Sequence, residues 1–173
     1  MKIIVTNDDG IYSPGILELK KAMELLGSVT LVAPDVQKSG VGHSITFSHP
    51  LRVRDVYSNG DFIGYGIDGS PADCVKLAVR EILKERSQLL VSGINIGANV
   101  GINVLYSGTV AAAIEGALLG IPSVALSLEI SESAPDVKGA AETAKDIIAL
   151  IMKKELPRGT LLNVNIPNIS KDK

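Results

Sequence analysis

Residues 2–10 have the sequence Lys2-Ile3-Ile4-Val5-Thr6-Asn7-Asp8-Asp9-Gly10. The first half of this stretch is a continuous apolar run, as expected for a strand that is buried on both faces of a parallel sheet. The second half is a polar turn that ends in glycine. Because ligands bind beyond the carboxyl ends of parallel strands, this turn is the first place to look for chemistry.

Strands and helices alternate along nearly the whole chain. The helices are predicted over 16–26, from Pro71 after a capping box at Ser70 and Asp73, over 109–119 and over 137–153. The strands after the first are predicted over 28–33, 51–57, 61–67, 89–91, 123–127 and 160–165. This alternation predicts an α/β fold of the Rossmann-like, three-layer type, with a mostly parallel sheet in one domain over 1–173.

The composition limits the classes of partner. With 46% hydrophobic residues and a net charge of -2, the 173 residues suit one globular domain with a substantial core. No Lys/Arg run is present to bind a nucleic-acid polymer, and the longest apolar stretch is too interrupted to span a membrane. Cys74 is the only cysteine, which excludes an internal disulfide and favours the cytoplasm. We interpret it as a buried helix residue rather than a nucleophile.

Asp8 and Asp9 are adjacent carboxylates at the end of a predicted buried strand. If both aim at one point, the pair is electrostatically costly without a cation between them. Oxygen ligands of this kind suit Mg²⁺, Mn²⁺ or Ca²⁺. The alternative is that Asp8 caps the following turn while Asp9 is solvated.

Two glycine-rich loops follow other predicted strands. In the first, over 39–44, Ser39 could add a neutral oxygen ligand, and His43 is either a proton donor or, as the sequence favours, a residue that stabilises the loop. The second, over 93–101, carries Asn95 and Asn99 between its glycines. The Asn95 amide could bind a metal through its oxygen or a phosphate through its NH₂ group, or both asparagines could serve only the turn. His49 is interpreted as structural.

Ser107-Gly108-Thr109 precedes an alanine-rich helix. The start of a helix binds anions through its free N–H groups and its dipole, and hydroxyl groups there add donors. The alternative is that Thr109 is merely the N-cap, which is compatible with anion binding. Carboxylates for a cation and a helix start for an anion together suggest metal-assisted phosphate chemistry.

Five segments, in this order along the chain, resemble the signature blocks of the SurE family (stationary-phase survival protein E). They are Val5-Thr-Asn-Asp-Asp-Gly-Ile11, Ser39-Gly-Val-Gly-His-Ser44, Gly69-Ser-Pro-Ala-Asp-Cys-Val75, Ser92-Gly-Ile-Asn95 and Tyr106-Ser-Gly-Thr-Val110.

The resemblance implies a Rossmann-like phosphatase that hydrolyses nucleoside 5′-monophosphates and, in some members, 3′-monophosphates and short polyphosphate. It implies one divalent metal ion, Mg²⁺ or Mn²⁺ with Ca²⁺ able to occupy the site. Asp8 is also a candidate for a catalytic role beyond ligation, while the identity of the base or nucleophile stays open. The implied metal ligands match Asp8, Asp9, Ser39 and Asn95. The implied phosphate contacts match Asn95, Ser107, Gly108 and Thr109.

The family also implies a homo-oligomer, a dimer or a tetramer, in the complete protein. Its members usually continue into an extended C-terminal arm used for oligomerisation, and we expect the domain over 1–173 to lack that arm. Two other functions compete with the phosphatase. One is a nucleotide-sugar transferase that uses Asp8 and Asp9 on its metal, and the other is a non-catalytic regulator that binds nucleotide or metal.

Overall fold

A computed structural model describes residues 1–154 and 156–169 of the chain. The strands are β1 (Lys2–Thr6), β2 (Ser28–Pro34), β3 (Val53–Ser58), β4 (Asp61–Ile67), β5 (Leu89–Ile96), β6 (Ser123–Leu128) and β7 (Leu161–Ile166). They form one seven-stranded sheet in the order β3-β4-β2-β1-β5-β6-β7. Every neighbouring pair is parallel except β3 and β4, which form a hairpin around Asn59-Gly60, a sequence typical of hairpin turns. The mostly parallel sheet is confirmed.

Helices cover both faces of the sheet. They are α1 (Pro14–Glu24), α2 (Pro71–Leu77), α3 (Gly108–Leu118) and α4 (Val137–Met152), with a π-helical turn at Ala78–Ile82 and a 3-10 helix at Gly101–Leu105. Alternate residues of β1 point into two separate cores, since Ile3 and Val5 pack with Leu19 of α1, whereas Ile4 packs with Val75 of α2. This arrangement confirms the three-layer, Rossmann-like α/β fold.

The start of α3 differs from its predicted position. The N-cap is Ser107, whose Oγ accepts a hydrogen bond of 3.1 Å from the backbone N–H of Val110. The interpretation of Thr109 as the N-cap is therefore wrong. The helix begins at Gly108, one residue earlier than predicted, because Ser107 is the residue that caps it.

β5 is longer than predicted, since it continues beyond residue 91 to Ile96. Asn95 pairs with Ser127 of β6 after an irregularity in the register. A Cβ atom at Gly93 would lie 2.4 Å from the carbonyl oxygen of Leu126, so the glycine permits close contact between two strands. Gly93, which indicated the start of a loop, is therefore part of the sheet.

Cys74 lies in α2 and is fully buried, as predicted. Burial raises the pKa of its thiol well above the ordinary value, so the reactive thiolate is disfavoured. Among the helices formed by residues 1–154 and 156–169, none has the length and apolar character needed to cross a membrane.

Candidate active site

Asn7 shapes the turn that presents Asp8 and Asp9. Its Oδ1 accepts a hydrogen bond of 3.2 Å from the N–H of Gly10, and its Nδ2 donates to the Gly10 carbonyl at 3.0 Å and to Ser13 Oγ at 2.8 Å. The side chain is fully buried and ties the end of β1 to the start of α1. Asn7 was not among the residues identified from the sequence, although an Asn followed by a turn glycine is typical of an Asx turn.

The carboxylate of Asp8 lies at the N-terminus of α3. It is buried, with 4% of the residue exposed, and its Oδ1 accepts a hydrogen bond from the hydroxyl of Thr109. A Cβ atom at Gly108 would lie 2.7 Å from Cβ of Asp8, so only glycine leaves room for the carboxylate here. Burial raises the pKa of Asp8, and the Thr109 hydroxyl and the N–H groups of Gly108 and Thr109 oppose that rise.

Asp9 carries the second carboxyl group and is half-buried. Burial and then the charge of Asp8 raise its pKa from 3.8 to about 6. The charged forms of both neighbouring carboxyl groups are therefore disfavoured. A divalent cation bound to both groups would stabilise their negative charges. The pair therefore fits a hard cation.

Ser39 and Asn95 approach the same edge of the sheet from other segments. The N–H of Lys38 donates to the carbonyl of Asp8 at 2.7 Å, so Ser39 lies one residue from a backbone contact with Asp8. Ser39 is exposed, and its Oγ accepts from Gln37 Nε2 at 2.9 Å. Nδ2 of Asn95 donates to the carbonyl of Gly97 at 2.6 Å. Because this bond uses the amide nitrogen, Oδ1 is the atom of Asn95 that suits a cation.

The topology explains why these segments meet. β1 and β5 are parallel neighbours in which Thr6 pairs with Ser92, so the turn after β1 and the end of β5 leave the sheet side by side. The structure brings Asp8, Gly108 and Thr109 into direct contact. Within the described ranges, no three His, Cys, Asp or Glu side chains cluster as a metal site, so the carboxylate pair would need neutral oxygen ligands.

The side chain of His43 contacts α3. Its Nε2 lies 2.8 Å from Oε2 of Glu115, a buried residue of α3 whose Oε1 is 3.9 Å from Nζ of Lys76. The contact holds the loop after β2 against α2 and α3, which favours the loop-stabilising interpretation of His43. Glu115 was not identified from the sequence, where the only signal was a single acid in an alanine-rich helix.

The Gly69–Val75 block holds the same loop from its other end. The carboxylate of Asp73 accepts hydrogen bonds from the N–H and the hydroxyl of Thr46 at 3.1 and 2.8 Å. Ser70 Oγ donates to the carbonyl of Ser44 at 2.6 Å, and the capping box predicted at Ser70 and Asp73 is present. The block therefore supports the loop that carries Ser39.

We expect the metal-free protein to lose stability as the pH rises through about 6, because of Asp9. Folding raises its pKa from 3.8 to about 6, so the folded protein is stabilised when Asp9 is protonated. This stabilisation is complete below pH 3.8 and is lost as the pH rises through about 6. Asp9→Asn removes this charge. In urea unfolding with chelator, the free energy of unfolding of the variant should rise relative to that of the wild type as the pH increases from 3.8 through about 6. A pH-independent difference would contradict the assignment.

The sequence profile of the family described as Survival protein SurE matches residues 3–173. The chain belongs to the SurE family. It is 47% identical over 173 residues to the 5′-nucleotidase SurE of Syntrophobacter fumaroxidans, covering 100% of this chain and 69% of that protein. It is 52% identical over 169 residues to the 5′-nucleotidase SurE 1 of Thermus thermophilus, covering 96% of this chain and 66% of that protein.

A crystal structure of a SurE family member has the same fold. The SurE protein from Aquifex aeolicus matches this chain with a TM-score of 0.91 and 44% sequence identity, over 99% of this chain and 68% of that one. The chain spans 62–69% of the length of the curated SurE relatives it matches. The whole fold described above is therefore shared with this family.

Proposed function

We propose that the protein is a metal-dependent phosphatase that hydrolyses nucleoside 5′-monophosphates to nucleoside and phosphate. The observation that carries this proposal is the buried carboxylate of Asp8, held at the start of α3 beside a second carboxyl group with a raised pKa. Relatives that cover the whole chain are named 5′-nucleotidase, which supports the substrate class. Nucleoside 3′-monophosphates and short polyphosphate are proposed as further substrates.

The proposed metal ligands are Asp8, Asp9, Ser39 and Asn95. One divalent cation, Mg²⁺ or Mn²⁺, fits two carboxylates supplemented by a hydroxyl and an amide oxygen, and Ca²⁺ is able to occupy the same donors. When bound, such an ion polarises a phosphoryl oxygen and lowers the pKa of bound water. Asp8 is also proposed to have a catalytic role beyond ligation, because its buried carboxylate lies at the start of α3, where the phosphate is proposed to bind.

The proposed phosphate contacts are Asn95, Ser107, Gly108 and Thr109. Ser107 Oγ accepts from the N–H of Val110, which leaves its hydroxyl proton free to be donated to a phosphate oxygen. Gly108 and Thr109 contribute backbone N–H groups at the helix start, where the dipole favours negative charge. Donors fixed in this way stabilise the charge that develops on the transferring phosphoryl group.

The two competing functions are not favoured. All residues proposed to hold the metal are present, which weighs against a non-catalytic regulator that binds nucleotide or metal. For a nucleotide-sugar transferase, the sequence lacks the spaced acidic motif that such enzymes use. The matched relatives are named 5′-nucleotidase, not transferase.

A phosphate-release assay over nucleoside 5′- and 3′-monophosphates tests the proposal. We expect release with Mg²⁺ or Mn²⁺, loss of release after exhaustive chelation, and recovery when the cation is restored. A simple phosphate ester and a nucleotide sugar are the control substrates. Full activity after chelation would exclude the metal, and transfer from the nucleotide sugar without phosphate release would favour the transferase.

We also propose a cytoplasmic homo-oligomer, a dimer or a tetramer, that binds neither membranes nor nucleic-acid polymers. The lone, buried Cys74 supports a reducing compartment. β7 lies at one end of the sheet with Leu161, Leu162 and Val164 only partly buried, and an apolar edge of this kind favours association. Light scattering on the full protein checks the assembly, and a monomer at high concentration would contradict it.

A further inference from the structure

Side chains from β6 and β7 bind Asn99, a residue of the loop that follows β5. The residue is buried, with 8% exposed. Its backbone N–H donates to Oδ1 of Asn165 at 2.8 Å, and its carbonyl accepts from Nδ2 of Asn163 at 2.8 Å and of Asn165 at 3.3 Å. Its own Nδ2 donates to Ser127 Oγ at 2.9 Å. A single loop residue therefore has both its backbone groups and its side chain bonded.

Strand alternation places the two partner amides where they can reach Asn99. Leu162, Val164 and Ile166 of β7 pack in the core beneath α1 and α4. Asn163 and Asn165 alternate with them, so they project to the opposite face of the sheet, on the side of α3. An apolar residue at position 165 would leave the buried backbone N–H of Asn99 without its acceptor, which is unfavourable.

Asn95 and Asn99 lie on either side of Gly97 in one short backbone segment, and hydrogen bonds hold Gly97 in place. The N–H of Gly97 donates to the carbonyl of Leu128 at 2.8 Å, which ties the segment to the end of β6. The carbonyl of Gly97 accepts from Nδ2 of Asn95 at 2.6 Å. Gly97 and Gly101 both have positive φ, so the backbone turns sharply on each side of Asn99. The orientation of the Asn95 side chain therefore depends on the Gly97 carbonyl, which lies two residues from Asn99.

We propose that Asn99, Asn163 and Asn165 form an amide clamp that positions Asn95 for the divalent cation. The three are positioning residues, because they act through Asn95 and do not touch the ion. This inference rests on the proposed metal site. It adds that β7, which is separated from β5 by β6, influences the metal affinity of a ligand carried by β5. Partners that orient metal ligands typically contribute about 10- to 100-fold to metal affinity.

The test is Mn²⁺ binding measured by electron paramagnetic resonance on the full protein. Asn165→Ala removes the acceptor for the Asn99 N–H, and we expect the dissociation constant for Mn²⁺ to rise about 10-fold or more. The turnover of a nucleoside monophosphate at saturating Mn²⁺ should stay close to that of the wild type. Amide hydrogen exchange at Asn99 should become faster in the variant.

Asn168→Ala is the matched control. Asn168 is also a buried asparagine near the end of β7, and its side chain makes comparable bonds, accepting from the N–H of Asp136 and donating to Ser131 Oγ and the Ala134 carbonyl. These bonds hold the segment before α4 and not the segment around Asn95. We expect this variant to lose stability to a similar degree while binding Mn²⁺ as the wild type does.

The possible results distinguish a failure of the clamp hypothesis from a failure of the proposed metal site. Equal Mn²⁺ affinity in the wild type and a folded Asn165→Ala variant would overturn the clamp alone. An equal loss of affinity in Asn168→Ala would also overturn it, because the effect would then follow general stability. A wild type that binds no Mn²⁺ would overturn the proposed metal site, and with it the role that we assign to the clamp.

Discussion

Asp8→Asn should reduce phosphate release by about 10³-fold, because a metal ion contributes several kcal/mol to transition-state stabilisation and each ~1.4 kcal/mol is a factor of ten. The substitution keeps the shape of the side chain but removes the negative charge. Burial raises the pKa of Asp8, so its charge is unfavourable to the fold at neutral pH. The variant should therefore remain folded and be at least as stable as the metal-free wild type. Steady-state phosphate release, Mn²⁺ titration and thermal unfolding measure the three effects.

Asp61→Asn is the control for the loss of one negative charge. Asp61 is exposed at the start of β4, outside the candidate site. Its substitution should leave phosphate release and Mn²⁺ binding unchanged. An Asp8→Asn variant that is folded and retains most of its activity would refute the role of Asp8. A variant that does not fold would show that the carboxylate is needed for the structure of the turn.

Thr109→Val should weaken cation binding by about 10- to 100-fold, as expected when the hydrogen-bond partner of a metal ligand is removed. Valine keeps the branched shape of threonine but cannot donate to Oδ1 of Asp8. Because that bond lowers the pKa of Asp8, its loss should raise this pKa further and disfavour the charged form that a cation requires. The cation concentration for half-maximal phosphate release should rise, and more so at lower pH.

Thr109→Ser retains a hydroxyl group and should restore most of the affinity. The N-cap does not confound this comparison, since the capping residue is Ser107. If Thr109 acts mainly on phosphate, Thr109→Val will instead lower the turnover at saturating cation and leave the cation concentration for half-maximal release unchanged. That result would contradict the role assigned to the Thr109 hydroxyl.

The order of strands and helices was predictable because each element depends on local patterns. The apolar run at β1, the Asn59-Gly60 turn and the capping box at Ser70 each depend on neighbouring residues, and all three are present in the structure. The patterns failed where contact between distant strands overrides them. Gly93 was taken for part of a loop, yet it lies in β5 because the strand packs closely against Leu126 of β6.

The sequence alone predicted the chemical types of the candidate site, because carboxylates, amides and a helix start follow buried strands, where ligands bind in a parallel sheet. Only the tertiary structure decided which groups touch. It paired Thr109 with Asp8, turned His43 to Glu115, and connected Asn99 to Asn163 and Asn165 across more than sixty positions of the chain. The reason is physical, since such bonds depend on how parallel strands are ordered in the sheet and on which face each side chain lies. Alternation along a strand indicates the face, but the order of the strands in the sheet is not encoded in the neighbouring residues.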